Sequence, residues 1–230
     1  TIKDMCGSPA NKTDHFVNPG YILYVPLKNL INGQRYYYSF GSDDNNTGFS
    51  PVYNFHFGPK SNETTTFIGY GDMGAASIGK NSTRVILSMI DDVDIIMHVG
   101  DISYAMGNEH IWGDWFKMIE PVTTKIPYHV CLGNHEYDWP TQSFKPLLFT
   151  YMKDSGGECG VPYDRRFNMP GPKLKLKDFL TGSRNIYHSV NVGLVHFIML
   201  SSEHNMTKGS EQYIWLENDL KSVDRKVHPW

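Results

Sequence analysis

Three short stretches of the 230-residue chain set an oxygen- or nitrogen-bearing side chain directly after a glycine: Gly71-Asp72-Met73-Gly74, Gly100-Asp101-Ile102-Ser103-Tyr104 and Gly133-Asn134-His135-Glu136. Asp72, Asp101 and Asn134 are spaced by 29 and 33 residues. Each interval accommodates one strand–helix–strand unit, and in an open sheet of such units ligand sites gather at the carboxyl ends of the strands. Glycine lets the backbone turn sharply there and leaves room at the strand tips. Hard oxygen donors converging from separate strands suit metal ions. One Gly-Asp is an ordinary turn. Two of them followed by Gly-Asn-His-Glu, in order and evenly spaced, form a far rarer pattern.

The elements that must hold these turns can be read around them. Apolar β-type runs at residues 65–70, 94–99 and 128–132 lead into the three turns. Asn81, Ser82 or Thr83 can cap a helix running to about residue 90. Ile111, Trp112, Trp115, Phe116 and Ile119 fall at helical spacing, in a helix expected to stop at Pro121. Residues 186–192 and 195–200 read as strands, and 211–223 as an amphipathic helix with Tyr213, Leu216 and Leu220 inward. The Gly/Pro-rich stretch 138–183 reads as loops around a site. His98, His129 and His196 lie within or beside strands and are expected to pack there.

Before residue 60 the pattern is different. Residues 21–25, 36–40 and 52–57 read as strands, Asn32-Gly33 as a tight turn, and 58–62 as a linker. The expected fold is therefore α/β plus β: residues 1–60 as the end of a fibronectin-like β-sandwich, and 61–230 as an incomplete α/β sandwich.

Hydrophobic residues make up 40% and charged residues 20% of the chain, the balance of a soluble protein with a core. The net charge is −3 with ten His neutral, so acidification turns it positive, which favours anionic substrates in an acidic compartment. No Lys/Arg stripe is dense enough for nucleic acid. No run approaches the roughly 18 apolar residues that span a bilayer. Five Asn-x-Ser/Thr sequons, at Asn11, Asn45, Asn62, Asn81 and Asn205, point to a glycoprotein of the secretory route. Cys6, Cys131 and Cys159 are too few for a disulfide scaffold. Cys131 sits in an apolar run and reads as a buried thiol, whereas Cys159, in a Gly-rich loop, is the better disulfide partner. Thr1 stands where an initiator Met would, so the start reads as processed or cut.

The three turns resemble those of the calcineurin-like metallophosphoesterases, whose usual first motif is Asp-x-His. Here it is Asp72-Met73-Gly74, without the His, and Tyr104 follows Asp101 by three residues. That exchange is the mark of purple acid phosphatases. Residues Gly156 to Tyr163 and Ser210 to Tyr213 resemble the plant-type, high-molecular-weight branch. The resemblance implies Asp72 and Tyr104 on Fe(III), Asp101 bridging two metals, and Asn134 on a second, divalent metal (Zn, Mn or Fe). It implies an acid phosphatase that hydrolyses phosphate monoesters, with nucleotide pyrophosphates or diesters as further substrates, by attack of a metal-bound hydroxide. His135 is then the residue that binds a phosphate oxygen or protonates the leaving group. Glu136 is expected to orient its neighbours, and His204 to face the pocket. The expected partner is a small phosphorylated substrate, with neither nucleic acid nor membrane, in a secreted or vacuolar/lysosomal setting; family members often pair as homodimers. Three further His ligands of the family match positions beyond Trp230, so the chain reads as truncated before them and as inactive alone. If the native chain ended at Trp230, the alternative would be a non-catalytic glycoprotein that keeps the fold.

Overall fold

The computed structural model describes residues 1–43, 48–59, 63–140, 142, 144, 153–174 and 183–230. Its elements are β1 (Gln34–Tyr38), β2 (Tyr53–Phe57), β3 (Phe67–Tyr70), α1 (Ser77–Met89), β4 (Ile95–Val99), α2 (Glu109–Thr123), β5 (Tyr128–Cys131), α3 (Asn134–Tyr137), α4 (Val161–Arg166), β6 (His188–Val192), β7 (Val195–Met199) and α5 (Glu211–Ser222). β3, β4 and β5 form a parallel sheet in sequence order, with Tyr70 opposite His98 and Val99 opposite Cys131. β6 and β7 pair antiparallel, as do β1 and β2.

The parallel sheet is covered on both faces, which is why its strands are continuous apolar runs rather than alternating ones. Successive side chains point to opposite faces. Ile96 and Val130 therefore join Ile86 of α1 and Trp112, Trp115 and Ile119 of α2 in the main core. Ile95, Met97 and Cys131 face the other way and meet Met199, Val190 and Phe197 of the β6–β7 pair. Cys131 is a buried free thiol, while Cys6 and Cys159 form a disulfide that ties the N-terminal segment to the Gly-rich loop. Among the described residues no helix is long and apolar enough to cross a membrane.

The local expectations differ from the structure at four places. Residues 21–25 form no strand: Tyr21, Leu23 and Val25 are 98%, 83% and 77% exposed, and strand propensity without a partner ladder builds nothing. The described residues before 60 hold the two-stranded β1–β2 sheet, whose Tyr38 and Tyr53 hydroxyls bond Thr124 O and Glu120 at the end of α2. α1 starts at Ser77, so Asn81, Ser82 and Thr83 lie inside it; Ser82 and Thr83 donate to the carbonyls of Ile78 and Gly79 one turn back. α2 runs through Pro121 to Thr123, because a proline this close to the end removes a single hydrogen bond and Thr124 closes the turn onto Glu120 O.

On α5, Leu220 points outward, while Trp215 packs against Tyr187 and the main core beside two inward polar groups. Gln212 bonds the amide and carbonyl of Ser201, and Asp219 accepts from Ser189 Oγ and meets His196 Nε2 at 2.8 Å. His98, 0% exposed, packs in the sheet with Nδ1 2.7 Å from the Tyr128 hydroxyl.

His129 Nδ1 lies 3.0 Å from Nε2 of the fully buried His188, a contact that needs one imidazole N–H and one lone pair. Burial lowers the His129 pKa to about 4, and burial with the neighbouring His129 lowers that of His188 to about 3. Both folded-state values fall below the ordinary 6.5, so the stability held by the neutral pair is present above pH 6.5 and is lost as the pH falls. We predict that urea unfolding between pH 7 and 5 loses roughly 2–4 kcal/mol from this pair. In His188→Gln the slope should be about halved; an unaltered slope would remove the pair as its source.

Candidate metal centre

The strand ladder continues past the strand ends into the turns. Asp72 N donates to Gly100 O, Met73 N to Asp101 O and Gly74 N to Ile102 O, at 2.9–3.2 Å. This lays the first turn along the second. Asp72, Asp101 and Tyr104 all adopt left-handed backbone conformations, with φ of +58°, +51° and +53°. Non-glycine residues reach that region at a cost of order 1 kcal/mol or more, so three together mark a place where the fold holds side chains against local preference. Gly133 is required for a different reason: a Cβ there would stand 2.2 Å from Asp101 Oδ1. The third turn can thus press its backbone against the carboxylate of the second.

The side chains converge accordingly. The Tyr104 hydroxyl donates to Asp72 Oδ1 at 2.8 Å and lies 3.2 Å from Asp101 Oδ2. Asp101 Oδ1 accepts the backbone N–H of His135 at 3.1 Å. Burial raises the Tyr104 pKa, and the hydrogen bond to Asp72 with the two carboxylate charges raises it further. Burial likewise raises that of Asp101. These are oxygen groups gathered without a positive charge, and a cation among them would reverse both shifts.

Glu136 is 1% exposed and sits behind the turns. Oε2 accepts from Asp101 N and Gly133 N, each at 2.9 Å, and Oε1 from Ile102 N at 2.8 Å. Burial pushes its pKa up to about 7 against the opposing pull of those three amides. Its oxygens are directed at backbone rather than at the cleft. His135 packs its ring at a tilt against Tyr104, with centroids 4.4 Å apart. Asn134 donates from Nδ2 to Asp154 Oδ2 at 2.9 Å. Asp154 went unnoticed in the sequence; its signal was its place directly before Ser155 and the Gly-rich loop.

A cleft of about 480 Å³ is lined by Asp72, Asp101 and Asn134 on one side and Leu200, Glu203 and Met206 on the other. A second, more apolar cleft of about 520 Å³ lies beside Tyr104, walled by Met73, Ala75, Ile78 and Ile111. The structure does not bring His204 into this group: it is buried against Tyr137, ring centroids 4.5 Å apart, with Nδ1 2.9 Å from Ser201 Oγ. Among the described residues no group of three or more His, Cys, Asp or Glu is arranged to hold a metal. The donors that do converge are two carboxylates and a phenol, a hard all-oxygen set that fits a trivalent ion such as Fe(III). For a second metal the same turns offer Asp101 and Asn134.

Replacing Glu136 with Gln keeps the volume but turns an NH2 group toward backbone donors. We predict that Glu136→Gln loses roughly 1–3 kcal/mol in urea unfolding, the cost of a buried donor left unpaired. An unchanged midpoint would show that the three amides do not depend on this carboxylate.

The profile of the calcineurin-like phosphoesterase family matches residues 65–230. A "probable inactive purple acid phosphatase 9" of Arabidopsis thaliana is 43% identical over the whole chain, which covers 38% of that protein. A "nucleotide pyrophosphatase/phosphodiesterase" of Hordeum vulgare is 34% identical over 75% of the chain and 46% of its own length. The chain therefore spans about two fifths of the length of the curated relatives it matches. Among solved structures, a purple acid phosphatase from yellow lupin (Lupinus luteus) seeds superposes with a TM-score of 0.83 at 32% identity, over 100% of this chain and 41% of that one. The chain belongs to the calcineurin-like phosphoesterase family, with plant purple acid phosphatases among its homologues.

Proposed function

We propose that the protein is an acid phosphatase acting on small phosphorylated substrates, phosphomonoesters first and nucleotide pyrophosphates or diesters second. In this reading Asp72, Asp101 and Tyr104 hold Fe(III), and Asp101 and Asn134 reach a divalent zinc, manganese or iron. The observation that carries it is the Tyr104 hydroxyl set between the Asp72 and Asp101 carboxylates. When bound, the two metals supply Lewis-acid stabilisation of the phosphoryl group and ease attack by water.

The chain's own groups then have distinct tasks. The His135 amide fixes one oxygen of Asp101, while its ring, packed at a tilt against Tyr104, has in this reading the task of binding a phosphate oxygen or giving a proton to the leaving oxygen. Glu136 keeps the second and third turns in register through their amides.

A second reading, a non-catalytic glycoprotein retaining the fold, is favoured by the words "probable inactive" in the name of the 43%-identical relative. The two separate in the full-length protein. The acid-phosphatase reading expects iron, a visible tyrosinate-to-iron absorption band and hydrolysis of p-nitrophenyl phosphate. We predict that Tyr104→Phe abolishes the band and lowers kcat/KM at least 100-fold, roughly 3 kcal/mol of transition-state stabilisation. Absence of iron and band from the wild type would leave the non-catalytic reading; colour surviving in Tyr104→Phe would reject the ligand assignment.

We further place the protein on the secretory route, secreted or vacuolar, with a homodimer as its assembly and with neither nucleic acid nor membrane as partner. The sequons support this unequally. Asn11 and Asn205 are exposed, and Asn205 Oδ1 accepts from both the amide and the hydroxyl of Thr207, within its own sequon. Asn81 lies inside α1, with Thr83 buried and bonded to Gly79 O. Asn45 and Asn62 lie outside the described residues. Glycopeptide mass spectrometry should find glycans at Asn11 and Asn205 and none at Asn81; a glycan at Asn81 would contradict the placement.

A further inference from the structure

We propose that Asp154 is a positioning residue for the metal centre: it holds the side-chain amide of Asn134 so that the carbonyl oxygen, not the NH2 group, is presented to the cleft. As a statement about metal binding this rests on the acid-phosphatase reading; as a statement about the amide it stands on geometry.

An asparagine amide has two ends of nearly equal size and shape, one a donor pair and the other an acceptor. Only the oxygen has lone pairs for a cation. Nothing in the amide itself chooses between the two orientations, so the choice comes from its surroundings. Here Asn134 and Asp154 Oδ2 are 2.9 Å apart. A carboxylate offers acceptors alone, so the end of the amide that meets it is NH2. The oxygen is thereby turned away from Asp154, and Asn134 shares the lining of its cleft with Asp72 and Asp101.

Both ends of this hydrogen bond are anchored to one short turn. Asp138 N donates to Asn134 O at 2.8 Å, closing α3. Ser155, 0% exposed, returns to that turn with its amide and hydroxyl on Asp138 O, at 3.2 and 2.8 Å. Asp154 is therefore carried to Asn134 by a neighbour bonded four residues beyond Asn134. A loop residue tied this way does not need to search for its partner. Partners of this kind, which orient a metal ligand without touching the metal, are commonly worth 10–100-fold in metal affinity.

The test uses the full-length, iron-loaded protein stripped of its divalent metal and titrated with Zn(II) alone, as wild type and as Asp154→Asn and Asp154→Ala. Asp154→Asn is close in shape and keeps the fold in play, but its amide can accept or donate, so both orientations of Asn134 become available. The expected result is a 10–100-fold loss of zinc affinity in Asp154→Asn, with the Tyr104-dependent band and the thermal midpoint unchanged. The Asn134 side-chain amide protons, followed by nitrogen-15 NMR, should lose their protection in both variants. Zinc affinity within twofold of wild type would overturn the proposal. So would protected Asn134 protons beside lost affinity, since Asp154 would then act on the metal directly, or joint loss of band and fold. If the wild type binds neither iron nor zinc, the acid-phosphatase reading fails, and the amide protons alone decide whether Asp154 orients Asn134.

Discussion

The strand tips depend on one buried carboxylate. Glu136 collects the amides of Asp101, Ile102 and Gly133, and so fastens the turn after β4 to the turn after β5. Each of those amides points away from the sheet ladder and would otherwise lack an acceptor in the interior, at about 1–3 kcal/mol apiece. Burial opposes the arrangement, and its effect on the Glu136 pKa exceeds that of the amides. The fold thus accepts an unfavourable charge in order to fix two turns whose side chains Asp101 and Asn134 face the cleft. Left-handed backbone at Asp72, Asp101 and Tyr104 follows the same logic, since local conformational cost is tolerated where geometry must be exact enough to gather ligands.

Support for Glu136 comes from the Gly-rich loop behind it. Gly160 N donates to Glu136 O at 2.6 Å, and the preceding Cys159 is held by its disulfide to Cys6. Glu158, 2% exposed, spans the gap to α2 by accepting from Gly107 N and Trp112 Nε1. Burial drives its pKa up to about 8. Beside it the buried Arg166 pairs with Glu109 and stacks over Trp112, 5.4 Å from the ring centre. The loop is therefore a buttress with polar contacts throughout, and it carries Asp154 and Ser155 at its leading end.

The sheet and the turns were legible because their signals are local: apolar runs that end in Gly-Asp or Gly-Asn set the strands and their tips. The convergence of Asp72, Asp101 and Asn134 on one cleft followed from strand order, whereas Tyr104 was expected beside them only from the family resemblance. What escaped the sequence depends on partners far along the chain. Residues 21–25 have strand composition but lack a neighbouring strand among the described residues. Ser82 and Thr83 are good caps by type, yet a helix interior can satisfy their hydroxyls equally well. Gln212 and Asp219 face inward on α5 because Ser201 and His196 offer them bonds, which no helical periodicity records. Asp154 reaches Asn134 across 20 residues that carry no pattern of their own.

The spacing of the ligand turns also bears on the order in which the site can be assembled. Asp72, Asp101 and Tyr104 span 33 residues, and each strand pairs with the one before it after a single intervening helix. Contacts of such short range close early and at small entropic cost. The Cys6–Cys159 link, by contrast, joins residues 153 positions apart and cannot form until the Gly-rich loop has been synthesised. The oxygen donors can therefore gather on the nascent chain while the buttress that will hold them is still to come, so that the loop arrives to lock a cradle already shaped by the sheet.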